Sequence, residues 1–517
     1  MAERSTPDRF TSSFDETWDV VVVGYGFAGA AAAMAAHDAG AKVLLVEKMA
    51  DPGGISICSG GGMRLAHDPE QAFQYLKAQA AGTTPDDILR TFVDGMMGLE
   101  EYWEGLARVS DARLLRRERE ANYPLPGYRT FYFIEVDSIP GFDAERDYPH
   151  ARARAGGPKI FRVLEDNVRE RGIEVRLSTP ALRLITDDGN AVRGIWIEHK
   201  GRRRAVKARK GVILACGGFE NDDEMKKQFW QLKPVFYATG RGNTGDGIRM
   251  AQDLGADLWH MWHFHGSYGI RHHDPSYPFA IRMKRLPDWT PGSDPMNVQM
   301  AWILLSKNGK RFMNECPPYA QDTSHRPIDH FEPIDQDYPY IPAFAVIDEE
   351  GRKMYPLAQT VFNDRDVPYY TWSDDNLKEL ENGMLKKADT VEDVAAIIGC
   401  DAAAVQASLD CWNALCDGGA DSDFRRPSGS MTPVRTPPYY VAEVWPVVSN
   451  TQGGPRHDTR QRVLNSFSEP IPRLYEAGEC GSIWGHLYMT GGNLSECFIT
   501  GRISGAEAAA LPDWDAD

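Results

Sequence analysis

Between a Val-rich run, Asp19 to Val23, and an Ala-rich stretch, Ala28 to Ala39, stand three glycines in the order Gly24-Tyr25-Gly26-Phe27-Ala28-Gly29. The β-branched run predicts a strand and the Ala-rich stretch a helix. A second apolar run, Lys42 to Glu47, follows Gly40 and predicts the next strand. Strand, glycine turn, helix and strand together read as the opening unit of a dinucleotide-binding fold. The first glycine permits a tight turn, the second lets the backbone approach a pyrophosphate, and the third allows close helix–strand packing. The free N–H groups of the helix start face the anion. Glu47, ending the second strand, is placed to accept hydrogen bonds from a ribose.

At 517 residues the chain is too long for one ordinary hydrophobic core, so at least two domains are expected. Strand-like runs at Val175 to Leu177, Gly194 to Glu198 and Val212 to Ala215 continue the α/β pattern. From about residue 266 the texture becomes aromatic, Pro-rich and Asp-rich, which marks an inserted domain. A helical period returns over 390–416 (Val391, Val394, Ala395, Ile398, Val405, Leu409), and Pro427, Pro433, Pro437 and Pro438 form its exit. The last 70 residues, Gly-punctuated and apolar, read as a return to the first domain.

The net charge of −17 argues against a nucleic-acid partner, whose phosphates are met by clustered Lys and Arg. The one basic run, Arg202 to Lys210, reads as a solvated hairpin beside the strand that follows it. Eight cysteines, at 58, 216, 316, 400, 411, 416, 480 and 497, form no CxxC pair, so disulfides, zinc and covalent haem are not expected and free thiols are. No stretch of about 20 apolar residues and no apolar leader stands in the sequence, so no membrane span and a cytoplasmic location are expected.

Asp51-Pro52-Gly53-Gly54 and Ser59-Gly60-Gly61-Gly62 come directly after Glu47-Lys48. Glycine this dense costs chain entropy, which suggests backbone pressed against something flat, an isoalloxazine ring or the FAD pyrophosphate. The alternative is a mobile surface loop. These glycines, the run Asp19 to Lys48, Ala215-Cys216-Gly217-Gly218-Phe219, Asn243-Thr244-Gly245-Asp246-Gly247, Asn308 to Glu315, and Gly491-Gly492-Asn493 to Gly505 together resemble the fumarate reductase/succinate dehydrogenase flavoprotein family. The resemblance implies an α/β fold: a Rossmann-like FAD-binding domain split over 1–280 and 440–517, with an inserted α+β capping domain over 281–439. It also implies hydride transfer between the flavin and a carbon next to an activating group.

Carried over by motif, the cofactor contacts are Gly24, Gly26, Phe27, Ala28, Gly29, Glu47 and Lys48 in the opening unit. Gly53, Gly54, Ser59, Gly60, Gly61 and Gly62 follow in the glycine loops, then Ala215, Gly217, Thr244, Gly245 and Asp246. Glu479, Gly492, Asn493 and Leu494 complete the set, the last three at the start of a helix that would favour the electron-rich edge of reduced flavin. Membrane-bound succinate dehydrogenases attach FAD through a histidine in the loop after the second strand. Ile55-Ser56-Ile57-Cys58 has none, so non-covalent FAD is expected.

The dicarboxylate chemistry of that family needs arginines and histidines. Met489 stands where the family has an arginine before Gly-Gly-Asn, Asn450 replaces the histidine of His-Thr-x-Gly-Gly, and the remaining arginine position falls near Val298. Two tyrosines resemble those of the 3-ketosteroid dehydrogenase branch instead. Tyr319, after Asn314-Glu315-Cys316-Pro317-Pro318, matches its proton acceptor. Tyr488, with the Gly492 N–H, matches the pair that polarises the ketone. The branch's Trp-x-Pro is missing after Gly62, and Met489 replaces its proline, so Δ1-desaturation, Δ4-desaturation and enone reduction all stay open. Tyr319 in a Pro-rich turn and Tyr488 in a Gly-rich one also have readings as packed aromatics. Trp262, Phe264 and Tyr268 are candidates either for an apolar pocket or for core, and His263, His265 and His486 for proton supply, carboxylate binding or structure. The expected function is FAD-dependent oxidation or reduction at a CH–CH bond beside an apolar ketone, foremost a 3-oxosteroid, with an unknown electron partner. The alternatives are reduction of an unsaturated acid, or a flavin subunit that needs a partner protein.

Overall fold

A computed structural model describes residues 7–11, 13–152, 156–283 and 299–514. Its first sheet has eight strands, and the central path runs Arg462–Leu464, Pro470–Glu476, Arg202–Leu214, Glu16–Val23, Val43–Val46 and Glu174–Arg176. Val20, Val21 and Val22 pair in parallel with Val43, Leu44 and Leu45, while Val21, Val22 and Val23 pair with Val212, Ile213 and Leu214 on the other side. Both faces are covered, so these strands are continuously apolar rather than alternating. The basic run 202–210 is one arm of a hairpin, paired antiparallel with Val192–His199, and it runs straight on into the sheet's central strand.

Strands from residues 16–46, 174–214 and 462–476 meet in this one sheet. Helices Phe27–Asp38 and Gly492–Ala510 hold the chain's two ends together. A Cβ at Gly501 would stand 2.6 Å from the Ala28 carbonyl oxygen, and one at Gly505 2.3 Å from that of Ala32, so hydrogen is the only side chain that lets the helices touch.

The second eight-stranded sheet runs Trp302–Leu305, Ala343–Ile347, Tyr439–Thr451, Phe264–Ile270, Ile281–Met283 and Ala358–Gln359, with Phe236–Tyr237 and Lys386–Ala388 added to the long strand. It therefore draws on residues 236–451, more than the 281–439 expected for the cap. The helical pattern near 390–416 forms two helices, Val391–Ile398 and Ala402–Gly418, packed on its outer part. A third, three-stranded sheet joins Met63–Ala66, Phe131–Ser138 and Arg113–Glu118. A cavity lies where the three sheets converge. Among the described residues no single helix is long and apolar enough to cross a membrane.

Candidate active site

The cavity, of about 790 Å³, begins at the glycine turn. Gly24 has a φ of +105°, and a Cβ there would lie 2.3 Å from the Ala215 carbonyl oxygen. A Cβ at Gly29 would lie 1.8 Å from the Gly24 carbonyl oxygen, so this third glycine packs helix on strand and stays out of the cavity wall. Gly26, Phe27 and Ala28 line the wall, and the helix they open has no side-chain cap and no acidic residue in its first turn. Its N–H groups are thus left for an anion. Glu47 accepts from the N–H groups of Tyr25 (2.9 Å) and Met49 (2.8 Å), which orients the carboxylate while it keeps lone pairs for the cavity. Burial raises its pKa, and those two bonds work against the rise.

Gly54, Ser59, Gly60, Gly61, Gly62, Ala215, Gly217, Asp246, Glu479, Asn493 and Leu494 all line the same cavity. Lys48 also lines it and donates to Thr244 Oγ1 and Asp246 Oδ2, both at 2.6 Å. Thr244, Gly245 and Gly53 stand behind the wall. Thr244 holds Lys48, Gly245 turns the chain into the helix Asp246–Gln252, and the Gly53 N–H closes the loop onto the Tyr25 carbonyl at 2.8 Å. Four buried polar atoms of wall residues, Ser59 Oγ, Ser449 Oγ, Thr490 Oγ1 and Asn493 Oδ1, have no protein partner. A dinucleotide-sized cavity edged by an uncapped helix start, a carboxylate on its wall and orphaned polar atoms fits FAD. Glu479 adds a carboxyl beside Glu220; burial pushes both upward, and the Glu220 charge raises Glu479 further, so the pair retains a proton.

The far end is made of side chains from distant segments. Tyr319 and Tyr488 both line the wall, with ring centroids 5.9 Å apart. Tyr319 Oη lies 2.9 Å from His265 Nε2 and 3.2 Å from Gln321 Oε1. His265 Nδ1 lies 2.8 Å from Asn450 Oδ1. Because an amide oxygen only accepts, the His265 proton sits on Nδ1, and Nε2 and Gln321 Oε1 are both acceptors for the single Tyr319 hydroxyl proton, Nε2 being the nearer. Burial, with the Arg282 charge, pushes His265 down to about 4, so the imidazole is neutral at physiological pH. Asn450, read from sequence as the loss of a histidine, is the residue that orients one.

Tyr488 is 5% exposed, and burial holds its phenol protonated. Its Oη accepts from the Asn493 N–H at 3.4 Å, a bond that does not use the hydroxyl proton. The expected role of Gly492 is corrected: its N–H donates to the Met489 carbonyl at 2.8 Å, and the residue does not reach the wall. Glycine is needed there for space, since a Cβ would lie 2.4 Å from the Trp484 indole. Met489 is fully buried in core, and Val298 lies outside the described residues.

Of the aromatic pocket candidates, Phe264 and Tyr268 are core and Trp262 is 49% exposed; none lines the cavity. His263 is structural. Its Nε2 lies 2.9 Å from Asp322 Oδ1, and Asp322 also takes the Tyr123 hydroxyl (2.7 Å) and the Tyr488 N–H (2.9 Å). Burial alone would raise the Asp322 carboxyl, but His263, Arg326 and that N–H hold it below the usual carboxylate range. His486 stays out of the wall and offers its carbonyl to Arg326. Sequence reasoning missed Arg119 and Arg282, which line the far end with Gln321, Gln359 and Phe133. No local motif marks either.

Residues 19–494 match the family described as FAD binding domain. Fumarate reductase (cytochrome) of Shewanella frigidimarina is 28% identical over 502 residues, covering 96% of this chain and 77% of the relative. The 3-oxosteroid 1-dehydrogenase of Mycolicibacterium smegmatis is 26% identical over 590 residues, covering 96% and 98%. The crystal structure of 3-ketosteroid Δ1-dehydrogenase from Sterolibacterium denitrificans, in complex with 1,4-androstadiene-3,17-dione, gives a TM-score of 0.79 at 25% identity and covers 96% of this chain and 99% of that one. A cofactor cavity of this form, in a chain so matched, makes the protein a member of the FAD binding domain family and an FAD-dependent oxidoreductase acting on CH–CH bonds.

Proposed function

We propose that the enzyme oxidises or reduces the CH–CH bond next to a ketone, with a 3-oxosteroid as the leading substrate. The observation that carries this reading is the hydrogen-bonded chain Tyr319–His265–Asn450 facing the Tyr488 hydroxyl across one cavity. Bound FAD supplies the hydride-exchanging centre. The Tyr488 hydroxyl donates to the ketone oxygen and so acidifies the neighbouring C–H. Tyr319 Oη takes that proton as its own hydroxyl proton shifts toward His265 Nε2, so no isolated phenolate forms; in the reductive direction the same chain delivers the proton. Asn450 keeps the imidazole in the accepting tautomer. The names of the steroid relatives, and the dienedione bound in the similar structure, support the substrate class.

A second reading is reduction of an unsaturated acid, favoured by Arg119 and Arg282 on the cavity wall and by the fumarate reductase relatives. The two separate in one experiment. Anaerobically reduced enzyme is mixed with 1,4-androstadiene-3,17-dione or with fumarate, and oxidised enzyme with a saturated 3-oxosteroid, while flavin absorbance is followed. The ketone reading expects flavin turnover with a steroid at about 1 per second or faster and none with fumarate. Fumarate-driven reoxidation at that rate, with inert steroids, would overturn it. Sustained turnover of the purified chain with an artificial dye excludes a requirement for a partner protein.

A further inference from the structure

Arg64 is 0% exposed, on the strand Met63–Ala66 directly behind the reacting end of the cavity. Its guanidinium meets only neutral groups. Nε donates to the Thr490 carbonyl at 3.0 Å, and Nη1 to the carbonyls of Arg119 (2.7 Å) and Glu120 (3.3 Å). Nη2 has no partner, and the plane lies 3.7 Å from the centre of the Phe133 ring, which is itself part of the cavity wall. Arg64 forms no ion pair among the described residues. The charged and titratable groups that face it are Arg119, a second cation, and the phenols of Tyr75, Tyr488 and Tyr319. Burial, then Arg119, pushes Arg64 down to about 9, so it is still charged at neutral pH.

A buried cation without a counter-ion costs several kcal/mol. A fold that keeps one at an active site keeps it for an anion that arrives with the reaction. The place for that anion is the cavity on the other side of Phe133 and Thr490, whose wall Tyr488 shares.

We propose that Arg64 is the resident counter-charge for the oxyanion formed at Tyr488, the enolate-like oxygen that appears when a ketone substrate loses its α-proton. In that step the C–H electron pair becomes the enolate C=C bond, the carbonyl pair moves to oxygen, and the proton goes to Tyr319 as the Tyr319 hydroxyl proton moves to His265. Arg64 does not touch the substrate. It acts through the field it sets across the wall, as a positioning residue, and its effect grows as charge develops because the guanidinium is buried and poorly screened. The proposal rests on the ketone reading above.

The test uses 4-nitrophenol, whose oxygen mimics an enolate and whose ionisation is read by absorbance, titrated into oxidised FAD-loaded enzyme across pH. Wild type is expected to bind the phenolate at least tenfold better than the phenol, moving the ionisation midpoint of the bound probe down by a pH unit or more. Arg64→Gln, which retains donors for the carbonyls, and Arg64→Met should lose that preference while neutral phenol binds within about threefold. Arg64→Lys should keep most of it, and Tyr488→Phe should weaken both forms. A neutral variant with the wild-type midpoint would overturn the proposal. Equal weakening of both forms, midpoint unchanged, would show Arg64 to be only a clamp on the 119–120 loop. If wild type binds no phenol in either form, the ketone reading fails and takes this proposal with it.

Discussion

At the turn end of the cavity the wall is backbone: the Gly24–Ala28 segment, the loops 54–62, and the start of a helix presented without a side-chain cap. At the reacting end the wall is side chains, Tyr319, His265, Asn450, Tyr488, Arg119 and Arg282, each from a different segment of the chain. The first end recognises a pyrophosphate, which needs only N–H groups and space. Under the proposed function the second holds one oxygen and moves one proton, which needs particular atoms at particular distances. Damage should therefore take different forms at the two ends: loss of cofactor at one, loss of rate with cofactor retained at the other.

The largest effect is expected at the turn. Gly24→Val places a β-branched side chain at a φ of +105° and against the Ala215 carbonyl, so the purified variant should carry little or no FAD. The ratio of flavin to protein absorbance measures this, against a wild type that is yellow and releases intact FAD on acid precipitation. A fully yellow Gly24→Val protein would erase the contrast between the ends.

At the reacting end, Tyr319→Phe removes the proposed proton-transfer group and should lower turnover by roughly 10²–10⁴ with FAD still bound. Asn450→Leu leaves the His265 Nδ1 donor buried and unpaired, a cost of about 1–3 kcal/mol, and should slow turnover by about tenfold or more through loss of the accepting tautomer. Near-normal rates in Tyr319→Phe would show that the tyrosine is only packing. A Tyr319→Phe effect without an Asn450→Leu effect would confine the relay to the phenol.

The smallest effect is on stability rather than on either end's chemistry, and involves His265 and a second buried histidine, His457, outside the cavity wall. His265 and His457 are each pushed down to about 4 by burial. The unfolded chain takes up protons near pH 6.5 whereas the folded one does not until near pH 4. Stability supplied by the neutral imidazoles is therefore complete above about pH 6.5 and falls as pH drops from there toward 4, on the order of 3 kcal/mol for each. Thermal melts across that range should show the decline, and Asn450→Leu should leave it largely intact. Turnover should show no loss at pH 6 that belongs to His265, because that ring stays neutral there.

The turn end was legible because its signal is local. Gly24, Gly26 and Gly29 fall within six residues, and their spacing meets requirements set by a helix start and a strand end alone. Glu47 follows Gly29 by 18 residues, and the glycine loops end 15 residues after Glu47. Thr244, Gly245 and Gly53 came with the motif but support the wall rather than form it, a distinction that needs coordinates. Tyr319 and Tyr488 were legible only through resemblance. Gly492 shows the limit of that route, since its N–H is used by the Met489 carbonyl although the glycine itself sits where the motif has one.

What the sequence determined by itself is the α/β dinucleotide fold, its closure from both chain ends through the glycine-faced helices, and the cofactor, because each depends on neighbours a few residues apart or on small side chains where two helices must touch. What only the tertiary structure decided is the chemistry of the other end. His265 and Asn450 are 185 residues apart in the chain, and they meet because their strands pair antiparallel in the second sheet. Arg64 loses its counter-ions because the last helix, the three-stranded sheet and the 119–120 loop close over it. Whether a buried polar side chain is a relay, a tether or an uncompensated charge is set by which atoms lie within about 3 Å of it, and that distance is fixed only when separate sheets pack.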